Sequence, residues 1–229
     1  MRRIKSLVAA AALLALATVA SAATITVTWN SPVFNPSSVD VGTVNFPGGS
    51  TGTNAGRFEG TVTATNGISF SELYQSNTDF FAYCHDLSQT LSSSTYTVAA
   101  ASAVMLDFLG AVNAVLGNGV FSWLSPASST IAAAVQLGIW EALHNDNFVL
   151  NTGLVNVNLA SVPDPVEAQF SLFAAAMAGS ASLSSSHVMV LTNPNTQDVI
   201  TGRRVPEPGT LLLLGFAAAA AGLARRRRR

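Results

Sequence analysis

Apolar and polar residues begin to alternate at position 24. Thr24-Ile25-Thr26-Val27-Thr28-Trp29 has the period of two that a half-buried strand requires. Residues 57–65 alternate again through Phe58, Gly60, Val62 and Ala64, and Asn66-Gly67 predicts a hairpin turn into a strand over 68–74. Residues 80–84 form a short apolar run, and 187–191 form another near the far end. Residues 32–56, rich in Gly, Ser, Asn and Pro, read as loop. The middle is helical. An alanine-rich apolar stretch covers 98–116 and ends at Gly117-Asn118-Gly119. A second helix is expected from Ser128 or Ser129 to about His144, and a third over 165–177 with Asp164 as its cap. Strands, then helices, then a returning strand predict an α+β domain with antiparallel strands over residues 23–191, followed by a polar tether over 192–204. No internal repeat is seen.

Both ends carry a different grammar. Arg2, Arg3 and Lys5 precede an apolar run over 7–20, and Ala20-Ser21-Ala22 has the small-x-small form of a cleavage site. Residues 1–22 therefore read as a secretory signal peptide. At the other end, residues 209–224 are uncharged and mostly apolar, and five arginines follow at 225–229. Sixteen helical residues reach about 24 Å, against a hydrocarbon core of about 30 Å. The segment is a short transmembrane helix suited to a transient stop, with its arginines on the cytoplasmic side.

Val205-Pro206-Glu207-Pro208, the apolar segment and the basic end, in that order, resemble the PEP-CTERM sorting tail over 205–229. The resemblance implies processing by an exosortase-type membrane protease, anchoring in the membrane before that step, and delivery to the cell surface or an extracellular polysaccharide matrix. Without its ends the chain is acidic. Residues 23–204 hold three basic and eleven acidic side chains, a net charge of −8, whereas the whole chain carries −1. Such a domain does not suit nucleic acid as a partner.

Two residues remain unexplained by packing. Cys84 is the only cysteine, so an exported chain cannot use it for an internal disulfide. Gln136 lies in the middle of an apolar helical stripe formed by Ala132, Ile139, Trp140 and Leu143. Burying an unpartnered amide costs roughly 1–3 kcal/mol, so something must satisfy it or react with it. If the end of the 80–84 strand meets this face, the thiol can attack the side-chain carbonyl and expel ammonia. Holding the atoms together supplies effective molarities of about 10⁵–10⁸ M, and Trp140 with its aliphatic neighbours would keep water out. His85 is a candidate base, although neighbours on a strand point to opposite faces.

Tyr83-Cys84 and Val135-Gln136-Leu137-Gly138-Ile139-Trp140 resemble the thioester domains of bacterial surface adhesins, in which an aromatic precedes the cysteine and the helix reads hydrophobic–Gln–x–Ala–hydrophobic–Trp. Gly138 stands where alanine is usual. The resemblance spans roughly residues 54–144. It implies a Cys84–Gln136 thioester, supported by Tyr83 and Trp140 as packing walls, that covalently captures an amine on another surface or matrix molecule. Such single-use acylation is not enzymatic, and it needs no cofactor. The only lysine is Lys5, so residues 23–229 offer no lysine amine to quench the acyl group. Low genomic lysine accounts for this equally well. Either way, a captured side-chain amine belongs to another kind of molecule.

Other readings stay open. Cys84 and Gln136 can be ordinary core residues of an inert matrix protein. A cysteine hydrolase would pair Cys84 with His144 or His187. His85, Asp86 and His144 lack the spacing of a metal site.

Overall fold

The computed structural model describes residues 22–205, apart from Asn77, Asn118, Asn145 and Asp146. Its first strand, β1 (Thr24–Phe34), continues past the predicted end. It is followed by β2 (Val39–Phe46), β3 (Gly49–Ala55), β4 (Arg57–Asn66), β5 (Gln75–Ser76), β6 (Asp79–Cys84) and β7 (Ser94–Ala99). After the helical middle come β8 (Asn156–Val157), β9 (Val188–Thr192) and β10 (Val199–Gly202). Six strands run in the order β10-β9-β7-β1-β4-β6, and a further pairing of β6 with β10 closes them into an antiparallel barrel. Short β5 pairs with the start of β6. The remaining strands make a small sheet in the order β3-β2-β8.

The helices are α1 (Ala103–Leu116), α2 (Ser129–His144) and α3 (Asp164–Ala176), and all three touch one another. Ser102 caps α1 by accepting from the Met105 N–H, and Gly117 closes it at φ +67°, a conformation open to glycine. Ser128 Oγ accepts from the Ile131 N–H at the start of α2. α2 meets β2, β3, β4 and β6, so it has neighbours in both sheets. Its residues 132–142 are buried without a break, as an apolar all-round sequence requires. On β6, residues 80–84 are likewise all buried. A strand covered on both faces reads as a continuous apolar run rather than an alternation.

Mixed helix and antiparallel sheet is as expected, while five local expectations are corrected. Residues 32–56 are not loop but contain the end of β1 and the β2–β3 hairpin. Few of the hairpin's side chains are buried, so its composition resembles a loop while cross-strand hydrogen bonds hold it. A register shift between Asp40 and Thr43 accommodates Gly42 at φ +72°. The strand expected over 68–74 is absent: Phe70–Glu72 is a 3₁₀ turn and Leu73 makes one bridge to Arg203. β1 pairs along β4 as far as Asn66, and β6 pairs with its other edge over residues 57–60. The helix predicted from 98 starts at Ala103, because residues 94–99 are drawn into the barrel between β1 and β9. The tether over 192–204 in fact contains β10, fully buried, which closes the barrel. Asp164 is the first residue of α3 rather than its cap, which is Pro163.

The signal peptide up to residue 21 and the sorting motif from Pro206 through Glu207, Pro208 and the 209–224 segment lie outside the described residues. Val205 is described and exposed. No helix among the described residues is long and apolar enough to cross a membrane.

One feature of α2 explains a departure in the sequence. A Cβ on Gly138 would lie 1.9 Å from Cζ of Phe108, a fully buried ring on α1. Glycine is needed here for close helix packing, not for backbone freedom. Gly138→Ala is expected to destabilise the fold. Overpacking costs about 1–3 kcal/mol, which outweighs a helix-propensity gain of about 1 kcal/mol. Urea denaturation measures this, and Phe108→Leu in the same chain should recover part of the loss. A Gly138→Ala midpoint at or above the wild-type value would show that this packing is wrong.

Candidate functional site

β4 starts at Arg57, opposite Tyr83, so at Cys84 the β4 side of β6 has no strand partner. The other side is still paired: Cys84 faces Val199, and the next ladder bond runs from the His85 N–H to the Asp198 carbonyl. The N–H and C=O of Cys84 therefore point toward the edge that β4 has left. α2 crosses there. The Cys84 N–H donates to Oε1 of Gln136 at 2.9 Å, and Nε2 of Gln136 donates to the Cys84 carbonyl at 2.8 Å. A side-chain amide has taken over one residue of β-ladder. Gln136 is 1 % exposed, so these two bonds relieve a burial cost on the order of 1–3 kcal/mol.

Trp140 is one turn further along α2 and reaches the same residue from the side-chain end. Its indole Nε1–H donates to Cys84 Sγ at 3.3 Å, while the thiol donates to the Asp86 backbone carbonyl. Cys84 is 3 % exposed. Burial pushes its thiol well above the usual range, and the charges of Asp86 and Asp198 push the same way, against the opposing Trp140 N–H. Burial thus favours the protonated thiol over the thiolate.

Of the predicted set, the structure brings Cys84, Gln136 and Trp140 together. Tyr83 is at a different place. Its ring stacks on Trp123 at 6.0 Å, and its buried hydroxyl has no hydrogen-bond partner among the described residues. As the preceding residue on the strand, it faces away from the cysteine side chain. Burial raises its pKa far above the ordinary range.

The histidines do not serve the sulfur. Neither hydrogen bond of the thiol involves one. His187 contacts the Arg203 carbonyl through Nδ1 and packs edge-on against Phe121. Burial holds His85 down to about 4, and it lowers His144 as well, with Asp86 pulling both back up. No group of three or more metal-ligating side chains occurs among the described residues.

Asp86 organises the site, a role its position in the sequence does not announce. Its Oδ1 accepts from the Ser88 and Gln89 N–H groups at 2.9 and 3.1 Å, and its Oδ2 accepts from the Asp198 N–H at 2.7 Å. Asp198 in turn accepts from the Asn193 N–H at 2.7 Å. These bonds lock the loop after β6 to the turn before β10. The Asp-Leu-Ser order of 86–88 is a local signal for such a turn.

Cys84 lines a pocket of about 300 Å³ at the seam between the two sheets. β1 lends Val33 and Phe34, β3 lends Gly52, Thr53 and Asn54, and β4 lends Phe58. Cys84, Leu91, Trp140 and Gln197 complete the wall. No lining residue is charged. Most of these walls come from stretches that the sequence presents as loop or tether.

The PEP-CTERM protein-sorting motif matches residues 204–229. A tail of this kind marks an exported protein sorted by an exosortase. The match leaves residues 22–203 unassigned. No curated protein and no solved structure matches the chain. The likeness to adhesin thioester domains thus rests on residue pattern alone.

The buried imidazole makes a pH prediction. An unfolded histidine takes up a proton near pH 6.5, whereas folded His85 resists until about 4. Its contribution is present above 6.5 and lost as pH falls toward 4, by up to about 3 kcal/mol. His144 acts in the same direction, and Asp198, raised by burial, acts in the opposite one. Urea midpoints should therefore fall between pH 7 and pH 4.5, and fall less in His85→Asn. An equal fall in both proteins would locate the acid sensitivity elsewhere.

Proposed function

We propose that the chain is an exported surface or matrix protein whose Cys84 and Gln136 condense into an internal thioester, which then captures an amine on another molecule. The observation that carries this reading is the seating of the Gln136 carboxamide on the backbone of the residue that bears the chain's only thiol. The Cys84 N–H already bonds Oε1, where negative charge would develop when sulfur adds to Cδ. The step balances without an outside reactant. The S–H proton goes to Nε2, the C–N bond breaks, ammonia leaves and a C–S bond remains. A neutral thiol still carries the proton that the leaving nitrogen needs. Trp140 Nε1–H steadies the sulfur, and the surrounding apolar walls limit hydrolysis.

Capture reverses the logic. An incoming amine attacks Cδ, the C–S bond breaks, an amide forms and one amine proton returns to sulfur. Each copy acts once, so the protein is a reagent rather than an enzyme. The acceptor would be an amine-bearing surface or matrix molecule. The other partners are an exosortase-type protease and, through residues 209–224 before processing, the membrane.

A second reading has one specific observation behind it. The same two hydrogen bonds fully satisfy the Cys84 backbone, so Gln136 has a structural task in an inert matrix protein. The hydrolase reading has no such support, since the thiol is held protonated and bonds no histidine.

Intact mass spectrometry of freshly purified protein separates these. The thioester predicts a mass lower than the formula by one ammonia, and methylamine should restore a covalent adduct at Gln136. Cys84→Ala should abolish both effects while keeping the fold, because the two Gln136 bonds use backbone atoms. Full mass with no adduct would leave the structural reading.

A further inference from the structure

The pocket beside Cys84 has a chemistry of its own. Its polar lining consists of Thr53, Asn54 and Gln197, and its ring-bearing lining of Phe34, Phe58 and Trp140. Carboxylates do lie near the sulfur, but Asp86 and Asp198 are occupied by backbone N–H groups and lie outside the lining. An acyl group is attacked only by the uncharged form of an amine, so an ammonium entering this space must first lose its proton. Lysine, with a pKa of about 10.4, would have to give up its proton as well as its water. A weakly basic amine enters largely uncharged, and electron-withdrawing oxygens on neighbouring carbons produce such an amine.

The rest of the lining favours a polyhydroxylated body around that amine. Amide and hydroxyl side chains bond sugar hydroxyls in either sense, and rings cover the apolar face of a pyranose. A volume of about 300 Å³ is at the small end of ligand pockets and admits one monosaccharide unit. We infer that the acceptor of the Cys84–Gln136 acyl group is the free amine of an amino sugar, held in this pocket with its nitrogen toward the sulfur. The inference rests on the thioester reading above. The product is an amide between Gln136 Cδ and the sugar nitrogen. The C–S bond breaks, a C–N bond forms, and one amine proton passes to Cys84 Sγ.

The test compares rates of mass gain in the full-length protein at pH 7 with four probes: glucosamine, glycinamide, Nα-acetyllysine amide and N-acetylglucosamine. Glycinamide is a weakly basic amine with no sugar, so it removes basicity as the explanation. Two additional neutral hydrogen bonds predict glucosamine about tenfold faster than glycinamide. Lysine amide should be slower still. Asn54→Ala should reduce the ratio of the glucosamine rate to the glycinamide rate severalfold, each ratio being taken within one protein; Thr53→Val should lower the same ratio. Equal rates for glucosamine and glycinamide, or a leading rate for lysine amide, overturn the sugar inference and leave the thioester standing. An adduct with N-acetylglucosamine would mean capture by a hydroxyl, which also overturns it. Full formula mass before any probe is added removes the thioester, and this inference with it.

Discussion

Everything at the site follows from β4 ending one residue short of Cys84. Chain direction changes at Gly56, where β3 of the small sheet gives way to β4 of the barrel. A Cβ there would come within 3.0 Å of the Phe34 ring and 3.3 Å of Ser38 Cα, so the corner is tight enough to favour glycine. Because the chain leaves the barrel at this point, one N–H and one C=O of β6 are left without a strand. In a core this dry they cannot be left to water. α2 must then present a side chain with one acceptor and one donor at fixed separation. The carboxamide of Asn or Gln carries that pair in one planar group without any titration, and Gln136 makes both bonds.

The same corner creates the pocket. Where two sheets part, side chains from both line the gap, and helix α2 forms its floor through Trp140. Site and cavity are therefore one consequence of topology rather than two coincidences. The Asp86 bonds to Asp198 and the β6–β10 pairing hold the opposite wall, which ties access to the thiol to closure of the barrel.

How much of this was legible depended on where the information is stored. The helix of Gln136 could be read to within a residue, because Ser128 caps it and its composition is apolar all round. The β6 run and its terminal cysteine could be read for the same reason. The hairpin over β2 and β3 could not, since its residues are small and polar and its order comes from pairing. β10 was hidden in a short apolar patch, Val199-Ile200, between polar neighbours that look like linker. The meeting of Cys84 with Gln136 was anticipated from chemistry, but the form of the meeting was not. Pattern alone gives no hint that the amide bonds the cysteine backbone, because that depends on where β4 stops.

The structural and chemical roles of Gln136 make opposite demands on its nitrogen. As a strand substitute, the side chain needs Nε2, which supplies the donor to the Cys84 carbonyl. Condensation discards that nitrogen. The carbonyl of Cys84 would then be buried without its donor, at a cost of about 1–3 kcal/mol, while the N–H on Oε1 could remain. A thioester formed here would thus be held in a fold whose stability it slightly lowers, and hydrolysis to a carboxylate would add a buried charge next to Asp86 and Asp198. The second effect disfavours hydrolysis relative to amide formation, which adds no charge. A purely structural glutamine has neither problem, which is why the mass of the native protein, rather than its stability, distinguishes the two roles.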